Sequence, residues 1–599
     1  YHKNPRILYA ILQTEKTDIR TVPGQASRSN DTIETGGVFR SEDGGDSWVK
    51  VNDLCPRPFY FGQIRVDPND ERRVYVLGVS LHLSTDGGKT FSDNAAPSVH
   101  SDHHAMWINP KDSEHMVIGC DGGLYLSRDR GQSWEHCKNL PIAQFYGVAV
   151  DMRRPYRVYG GLQDNGTWGG ASATHNPEGI TVADWFRVLG ADGFQCQVDP
   201  TEADIVYAEA QYGGLTRVNV RTGESVGIRP RPPKGDREYR FNWCSPIVLS
   251  PHNPRTLYFG GNHVFRSIDR GDTWTPISAD LTLGKPGPSP DNGHTLTALA
   301  ESPLKAGLLY AGTDDGRLHV TRNGGSTWTD VSLHLPTLPA ERWISRIECS
   351  HFEEGAAYLA VDRHRNDDRA PYVYKTIDYG ASWVGISNDL PPDGSVYVIR
   401  EDPRNPHLLF AGTDNSLFVS LNGGANWQRL KNGLPTVPVH DLVIHPRERD
   451  LVIATHGRGM FVMDIAPLQD WSATILGGPA QLFDVKPGVF FRYHGAHGLG
   501  DGKTFAAPNP AFGAPIYYYL REKPSSPARL TIVDTLGHAV ATLDVNQEPG
   551  LHRVVWDLRA NVTTTPLRGM STVASGDYAV RLEVGDKVLP KKVRVETEE

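Results

Sequence analysis

Short apolar runs with strand-like alternation recur along the first 467 residues. Each run is a three-residue strand core, and most cores follow a Pro-containing turn such as Asp67-Pro68-Asn69 or Asp402-Pro403-Arg404. Their middle residues are Leu8, Val74, Met116, Val158, Val206, Leu257, Leu309, Ala357, Leu409 and Val452. The spacing leaves room for four short strands per 42 to 55 residues. Repeated four-stranded units of this length are typical of β-propeller blades, so the pattern predicts about ten blades.

A second motif shares this period and marks the turn before the last strand of a blade. It consists of a hydroxyl residue, Asp or Asn two positions later, Gly two positions after that, and a final Trp or Phe. The seven copies are 41–48, 84–91, 127–134, 267–274, 321–328, 376–383 and 420–427. Asp and Gly are the residues that a tight hairpin demands, and the aromatic ring is expected to pack under a neighbouring strand. This Asp-box is predicted to stabilise the fold and is not by itself a catalytic site.

The chain opens on the second strand of a blade. Two closures are therefore considered: one ten-bladed ring completed by the C-terminal segment, or the later part of a tandem pair whose first blades precede Tyr1. We favour the tandem arrangement because the sequence starts within a blade and with Tyr1 instead of Met.

The last part of the chain has a different pattern. Its apolar alternation has period two and is interrupted by turns such as Leu536-Gly537 and Pro549-Gly550. Such alternation predicts a small antiparallel, immunoglobulin-like sandwich. We therefore assign residues 1–467 to the propeller region, 468–479 to a linker and 480–599 to the sandwich, which would serve spacing, attachment or contact with partner subunits.

Composition narrows the classes of function. The 61 Lys and Arg against 70 Asp and Glu leave a net charge of −9, which argues against a protein that binds nucleic acid by neutralising phosphates. The sequence has no stretch of about 18 apolar residues that would suit a membrane-spanning helix. With 13 Trp and 23 Tyr, the chain has the apolar surface to fold.

The motifs resemble a known group of proteins. Residues 36–41, 100–107, 160–166 and 455–459, together with the Asp-boxes, resemble the bacterial sortilin-like, Asp-box repeat proteins often labelled glycosyl hydrolases. The region is more distantly similar to the tandem-propeller xyloglucanases and to the ten-bladed luminal domain of sortilin. The resemblance implies a secreted, periplasmic or cell-surface protein with a polysaccharide or protein ligand. Because propellers host many unrelated functions, the hydrolase label alone is weak support for chemistry.

Three carboxylates are the candidate catalytic residues. Asp102, Asp164 and Asp192 begin or flank successive inner strands, whose ends line the ligand face of a propeller. Glycoside hydrolysis requires two carboxylates about 5 Å apart for retention or about 6.5–9.5 Å apart for inversion. The competing interpretation is ordinary turn chemistry, since Asp-Asn-Gly and Gly-Asp-Gly are common in turns and bulges.

A dense polar cluster precedes one inner strand. His100, Asp102, His103 and His104 are candidates for a metal site, an acid–base pair or substrate contacts. Strand alternation sends His103 and His104 to opposite sides, so the whole cluster cannot converge on one ion. Otherwise these side chains would cap turns and line a wet channel. No cofactor is expected.

Aromatic and amide side chains are the remaining candidates for substrate binding. A platform for stacking sugars could comprise Trp185, Tyr212 and Trp243, with Asn165 and Asn242 as hydrogen-bonding neighbours. The alternative is that the rings form core between blades. A sialidase-like arginine triad of Arg65, Arg346 and Arg400 is not expected, because strand alternation does not bring these side chains together.

Two functions remain after these observations. The first is a secreted glycoside hydrolase that acts on a polysaccharide through paired carboxylates. The second is a non-catalytic, sortilin-like binding scaffold in a cell-surface or extracellular assembly. We favour glycan handling because the strand that follows Asp102 has an unusually polar start.

Overall fold

A computed structural model describes residues 1–13, 36–57, 60–284, 293–335, 342–431, 433–491, 504–561 and 572–597. The chain divides into two compact units. Unit 1 contains residues 1–140 and 500–505, and unit 2 contains residues 141–499 and 506–599. Within the described ranges, no helix is long and apolar enough to cross a membrane.

Unit 1 contains three antiparallel sheets. Sheet A has β1 (Leu8–Leu12), β2 (Gly37–Ser41) and β3 (Val49–Asn52), and sheet B has β4 (Ile64–Asp67), β5 (Asp70–Leu77) and β6 (Leu81–Ser84). Sheet C has β7 (His103–Ile108), β8 (Met116–Cys120), β9 (Gly123–Ser127) and β10 (Glu135–His136).

Unit 2 contains seven propeller sheets in its described part, named blades 1 to 7 in chain order. Blade 1 has β11 (Phe145–Val150), β12 (Arg157–Leu162), β13 (Gly166–Ala171) and β15 (Trp185–Leu189); β14 (Ile180–Thr181) pairs outside it. Blade 2 has β16 (Gly193–Val198), β17 (Ile205–Ala210), β18 (Gly214–Asn219) and β19 (Ser225–Gly227). Blade 3 has β20 (Ile247–Leu249), β21 (Leu257–Gly260), β22 (Val264–Ser267) and β23 (Thr275–Pro276).

The remaining four blades repeat this order. Blade 4 has β24 (Leu296–Glu301), β25 (Leu309–Thr313), β26 (Leu318–Thr321) and β27 (Thr329–Asp330). Blade 5 has β28 (Trp343–Cys349), β29 (Ala357–Asp362), β30 (Tyr372–Thr376) and β31 (Val384–Gly385). Blade 6 has β32 (Val396–Glu401), β33 (Leu409–Thr413), β34 (Leu417–Ser420) and β35 (Gln428–Leu430); blade 7 has β36 (Val439–His445), β37 (Asp450–Thr455) and β38 (Met460–Asp464).

The seven blades of unit 2 close into a ring. Blade 7 returns to blade 1, where the Asp441 carboxyl accepts a hydrogen bond from the backbone N–H of Val148 at 3.1 Å and Tyr156 donates to Asp450 at 3.2 Å. The prediction of a propeller is confirmed, and the middle residue of each of the ten predicted strand cores lies in a strand. The single ten-bladed ring is wrong, because seven sheets close on themselves and the other three belong to a separate compact unit.

The Asp-boxes form the predicted turns. In all seven, the hydroxyl oxygen accepts a hydrogen bond from the glycine N–H at 2.8–3.0 Å. The residue before that glycine also has a left-handed backbone conformation, with positive φ, even where it is Arg130, Arg270 or Tyr379. Several box tryptophans bond to the preceding blade, as when the Trp274 indole donates to the Ile228 carbonyl at 2.6 Å. The boxes that end at Trp274, Trp328 and Trp427 therefore join their own turns to the neighbouring blade.

The C-terminal part of unit 2 begins with two short helices: α1 (Ala466–Gln469), which crosses the predicted boundary between propeller and linker, and α2 (Ala473–Gly477), which lies in the predicted linker. One sheet contains β39 (Ala480–Leu482), β42 (Ala514–Leu520) and β45 (Gly550–Trp556). A second contains β40 (Gly488–Phe490), β43 (Arg529–Val533), β44 (Ala539–Leu543), β46 (Gly576–Val584) and β47 (Lys587–Thr597), and β41 (Ala506–Ala507) pairs with β14. Their buried side chains form one core, which includes Trp556 and Tyr518. The immunoglobulin-like classification and the domain boundaries stay predictions.

Candidate functional site

Asp192 lies at the start of the inner strand of blade 2 and is 6% exposed. Its carboxyl accepts hydrogen bonds from the backbone N–H of Asp164 and from the side-chain amide of Gln211. The amide oxygen of Gln211 in turn accepts the backbone N–H of Asp192 at 3.2 Å. Two segments, one from blade 1 and one from blade 2, therefore hold this carboxyl in one orientation.

Left-handed backbone conformations concentrate around Asp192. Asp164, Ala191 and Tyr212 have φ values of 59°, 63° and 56°. For residues other than glycine this conformation costs on the order of 1 kcal/mol, and it persists where the surrounding structure imposes it, often at functional sites. Each of the three residues is on, or next to, a segment that contacts Asp192.

The environment of Asp192 raises the pKa of its carboxyl to about 6. Burial is the main cause, because it disfavours the charged form, and the hydrogen-bonded carboxyl of Asp164 acts in the same direction. The hydrogen bonds from Gln211 and from the Asp164 N–H act in the opposite direction. A carboxylic acid with this pKa can donate a proton near neutral pH.

The two carboxyl groups of Asp164 and Asp192 are in hydrogen-bond contact. Retaining and inverting glycosidases separate their two carboxyl groups by about 5 Å or more. Asp164 and Asp192 are therefore too close to be the acid and the nucleophile of one reaction. Asp164 is better suited to raising the pKa of Asp192.

The predicted aromatic platform is brought together in part. Tyr212 and Trp243 are half-buried and meet edge to face, with ring centroids 5.0 Å apart. Trp243 also contacts the buried Phe194 at 5.7 Å. Trp185 is placed elsewhere, because it starts the outermost strand of blade 1, at the opposite edge from the inner strand.

The two predicted amide ligands have structural partners. Asn242 is 1% exposed, and its side chain donates to Thr295 and Asp314 and accepts the N–H of Cys244. Asn165 donates to the Gln163 carbonyl at 2.9 Å. Asn242 is therefore unsuited to contact a substrate, because burial and three hydrogen bonds hold its amide.

The histidine cluster lies in unit 1. His103 is 1% exposed, and burial lowers the pKa of its imidazole to about 4. His104 is exposed and lies 3.2 Å from Asp121, so the two imidazoles do point to opposite sides. His100 contacts the Ser101 carbonyl, and Asp102 is left-handed with φ 62°. Among the described residues, no three His, Cys, Asp or Glu side chains are arranged to hold a metal ion.

Asp102 lies in a different compact unit from the other two candidate carboxylates. It belongs to unit 1, whereas Asp164 and Asp192 belong to unit 2. The predicted arc of three facing carboxylates stays a prediction.

The centre of the unit 2 ring holds an ionic cluster that the sequence did not indicate. Arg346 and Arg400 from two inner strands both contact Asp441, at 2.9 and 3.1 Å, and Arg400 also contacts Glu348 at 2.6 Å. They line a cavity of about 140 Å³. The expectation that Arg346 and Arg400 stay apart is wrong, because the ring brings inner strands of different blades to one axis. Arg65 belongs to unit 1.

The sequence also did not indicate a series of half-buried rings that lies in unit 2. The imidazoles of His440 and His456 stack at 4.2 Å, His440 lies 4.4 Å from Tyr397, and His456 lies 4.9 Å from Tyr146. These residues come from blades 1, 6 and 7. No local motif marks them, since only ring closure makes them neighbours.

The closed ring and its boxes define the chain as an Asp-box β-propeller protein, and comparisons agree. The Sortilin-Vps10 family (sortilin, neurotensin receptor 3) matches residues 36–148. The predicted resemblance to sortilin-like propellers related to xyloglucanases is confirmed by this match and by the relatives below.

An oligoxyloglucan-reducing end-specific xyloglucanase of Emericella nidulans is 23% identical over 67% of this chain and 50% of its own length. A xyloglucanase of Paenibacillus sp. is 23% identical over 37% of this chain and 23% of its own length. Among solved structures, the GH74 enzyme of Niastella koreensis has a TM-score of 0.26 and 13% identity over 87% of this chain and 79% of its own. The chain thus spans half or less of the length of these curated relatives.

Proposed function

We propose that this chain acts on a polysaccharide as a glycoside hydrolase, with Asp192 as the general acid. The proposal rests chiefly on one observation: a buried carboxyl with a pKa of about 6 lies in the same blade as Tyr212, which pairs with Trp243. A sugar ring stacked on this aromatic pair would gain on the order of 1 kcal/mol beyond the area it buries.

Asp192 would protonate the leaving-group oxygen as the glycosidic bond breaks. Gln211 orients the carboxyl, and Asp164 keeps it protonated to higher pH. The reaction needs a second carboxylate that is farther from Asp192 than Asp164 is. The sequence supplies Asp102 as the other candidate for this second carboxylate, and the Asp102→Asn variant tests that role.

The experiment uses the purified chain with xyloglucan, other β-glucans and algal polysaccharides. Release of reducing sugar is measured for the wild type and for the Asp192→Asn, Asp164→Asn and Asp102→Asn variants. Loss of a general acid should lower kcat at least about 100-fold in Asp192→Asn. The exposed Asp586→Asn variant is the matched control and should stay within about twofold. No sugar release from any substrate, or full activity of Asp192→Asn, would refute the proposal.

The second candidate function is a sortilin-like binding scaffold, which the family match over residues 36–148 favours. It predicts a partner protein that co-purifies, with no sugar released from any substrate. We further propose an extracellular, periplasmic or cell-surface location, with residues 480–599 as the attachment or partner-contact unit. Cell fractionation and pull-down with residues 480–599 deleted test both.

A further inference from the structure

One position in the second strands of unit 2 has an unusual residue in blade 2. In blades 1 to 6, the second strand has an aromatic residue in its core, and the residue two positions later is small in five of them. These five are Gly161, Gly260, Gly312, Ala360 and Gly412. In blade 2 the corresponding residue is Glu209, two positions after Tyr207.

The small residues have a steric reason. A Cβ at Gly161 would lie 2.2 Å from the backbone nitrogen of Phe194, and a Cβ at Gly412 would lie 2.6 Å from the carbonyl oxygen of Val439. Phe194 and Val439 are on the inner strands of the next blades. In blades 1 and 6, therefore, the next inner strand packs directly against the second strand at this position and leaves no room for a side chain.

Glu209 fills this position between blades 2 and 3. It is 0% exposed, and its Oε1 accepts the backbone N–H of Ser245 at 3.0 Å. Burial raises the pKa of this carboxyl well above its usual range, and the backbone N–H groups of Ser245, Gly213 and Gln195 act in the opposite direction. Its Oε2 is buried without a hydrogen-bond partner among the described residues.

The inner strand of blade 3 is correspondingly short. β20 has three residues, whereas the inner strands β16 and β24 each have six. The preceding segment, residues 242–246, carries Trp243 toward Tyr212 instead of continuing the strand. At this end of β20, the buried Glu209 carboxyl takes the N–H of Ser245.

The backbone groups around Glu209 belong to the segments of the candidate site. Gln195 is three residues after Asp192, Gly213 follows Tyr212, and Ser245 is two residues after Trp243. We propose that Glu209 is a positioning residue: its hydrogen bond to Ser245 holds the segment that carries Trp243 against blade 2, and so builds a sugar-binding site on the Tyr212 and Trp243 rings. The class of ligand in this inference, a sugar, rests on the proposed function.

The test compares Glu209→Gln with Glu301→Gln. Glu301 is a matched control: it is 7% exposed, accepts the Tyr258 hydroxyl at 3.0 Å and the Gly307 N–H at 2.9 Å, and has a buried Oε2 without a partner among the described residues. It lies between blades 3 and 4, and its hydrogen bonds in the described part of the chain go to Tyr258 and Gly307, which are outside the segments named above. Glu209→Asp, which keeps the carboxylate but shortens its reach, is the second variant.

The first readout needs no ligand. The fluorescence of Trp243 is isolated as the difference between each protein and its Trp243→Phe counterpart, and its quenching by acrylamide is measured. We expect the quenching constant of Trp243 to rise at least about twofold in Glu209→Gln and Glu209→Asp, and to be unchanged in Glu301→Gln. Equal quenching in all variants, or an equal rise in the control, would overturn the inference.

The second readout is the Kd of a xyloglucan oligosaccharide, measured by calorimetry. We expect Glu209→Gln to weaken binding at least tenfold and Glu301→Gln to stay within twofold; equal effects of the two variants contradict the inference. If the wild type binds but hydrolyses nothing, the hydrolase proposal fails while the positioning role is still tested. If it does not bind, the ligand class is wrong, and quenching alone decides whether Glu209 positions Trp243.

Discussion

The backbone N–H of Asp164 donates a hydrogen bond to the carboxyl of Asp192. This bond connects the turn after the second strand of blade 1 with the start of the inner strand of blade 2. It also brings the Asp164 carboxyl next to that of Asp192, where it disfavours ionisation of Asp192. The pH dependence of any reaction that uses Asp192 should therefore depend on Asp164.

The first prediction concerns this pH dependence. If protonated Asp192 is the general acid, kcat/KM should fall as the pH rises above about 6, where the carboxyl loses its proton. Asp164→Asn removes the neighbouring acid, so the pKa of Asp192 should decrease and the falling limb should move to lower pH. The pH profile of sugar release measures this. A limb that stays in place, or moves to higher pH, contradicts the assignment, and Asp586→Asn should leave it unchanged.

The second prediction concerns the ionic cluster at the centre of the unit 2 ring. Asp441→Asn removes the buried carboxylate that Arg346 and Arg400 share, and leaves two half-buried guanidinium groups short of a partner. Breaking a buried pair typically costs about 3–5 kcal/mol. We expect a loss of about 3 kcal/mol in the free energy of unfolding, measured by urea denaturation. Asp272→Asn removes the more exposed partner of Arg217 and should cost less than about 1 kcal/mol. Similar losses in both variants would show that burial of the cluster is unimportant.

The third prediction separates backbone strain from ion pairing in one Asp-box. Arg270 has φ 65°, which favours glycine, yet its side chain lies 3.0 Å from the fully buried Asp199. Arg270→Gly relieves on the order of 1 kcal/mol of strain but leaves a buried carboxylate unpaired, which costs about 3 kcal/mol. It should therefore destabilise the protein by about 2 kcal/mol.

Arg270→Ala is the comparison for that variant. It loses the same ion pair but keeps the left-handed strain, so it should be less stable than Arg270→Gly by about 1 kcal/mol. Thermal and urea denaturation give the order of stability. An Arg270→Gly protein as stable as the wild type would mean that the pair with Asp199 contributes little.

The fourth prediction concerns the attachment of the C-terminal sheets. The Lys486 ammonium lies 3.1 Å from Asp450 and 3.0 Å from Asp464, which are paired residues on the last two strands of blade 7. Lys486→Met leaves these two carboxylates facing each other without a cation, so we expect faster proteolysis within residues 468–479. Lys591→Met breaks an exposed pair with Asp484 and should change the cleavage rate little. Equal rates in the two variants would contradict a stabilising role for Lys486.

Much of the fold could be predicted because its signals are local. The Asp-box places hydroxyl, carboxylate and glycine within five residues, so the hydrogen bonds between them form inside one turn. The second-strand cores are equally local, and the middle residue of each lies in a strand. Ring closure was not predictable, because it depends on contacts such as Val148 with Asp441, which are 293 residues apart.

The candidate site shows the same division. Asp164, Asp192, Tyr212 and Trp243 were identified from turn chemistry and from their positions before or after strands. Their grouping involves Gln211, which has no motif, and Trp185 was misplaced because its distance from the inner strand depends on sheet order.

The sequence by itself determined the blades, the boxes and the carboxylates, since these arise from hydrogen bonds and alternation within about 50 residues. The tertiary structure alone decided that seven blades close, that Arg346 and Arg400 share Asp441, and that Glu209 is buried at a position where four other blades have glycine. The physical reason is that burial and charge pairing depend on which distant strands become neighbours. From the sequence alone, a glutamate in a strand is expected to be exposed to solvent. Only the packing of the next blade shows that Glu209 is buried.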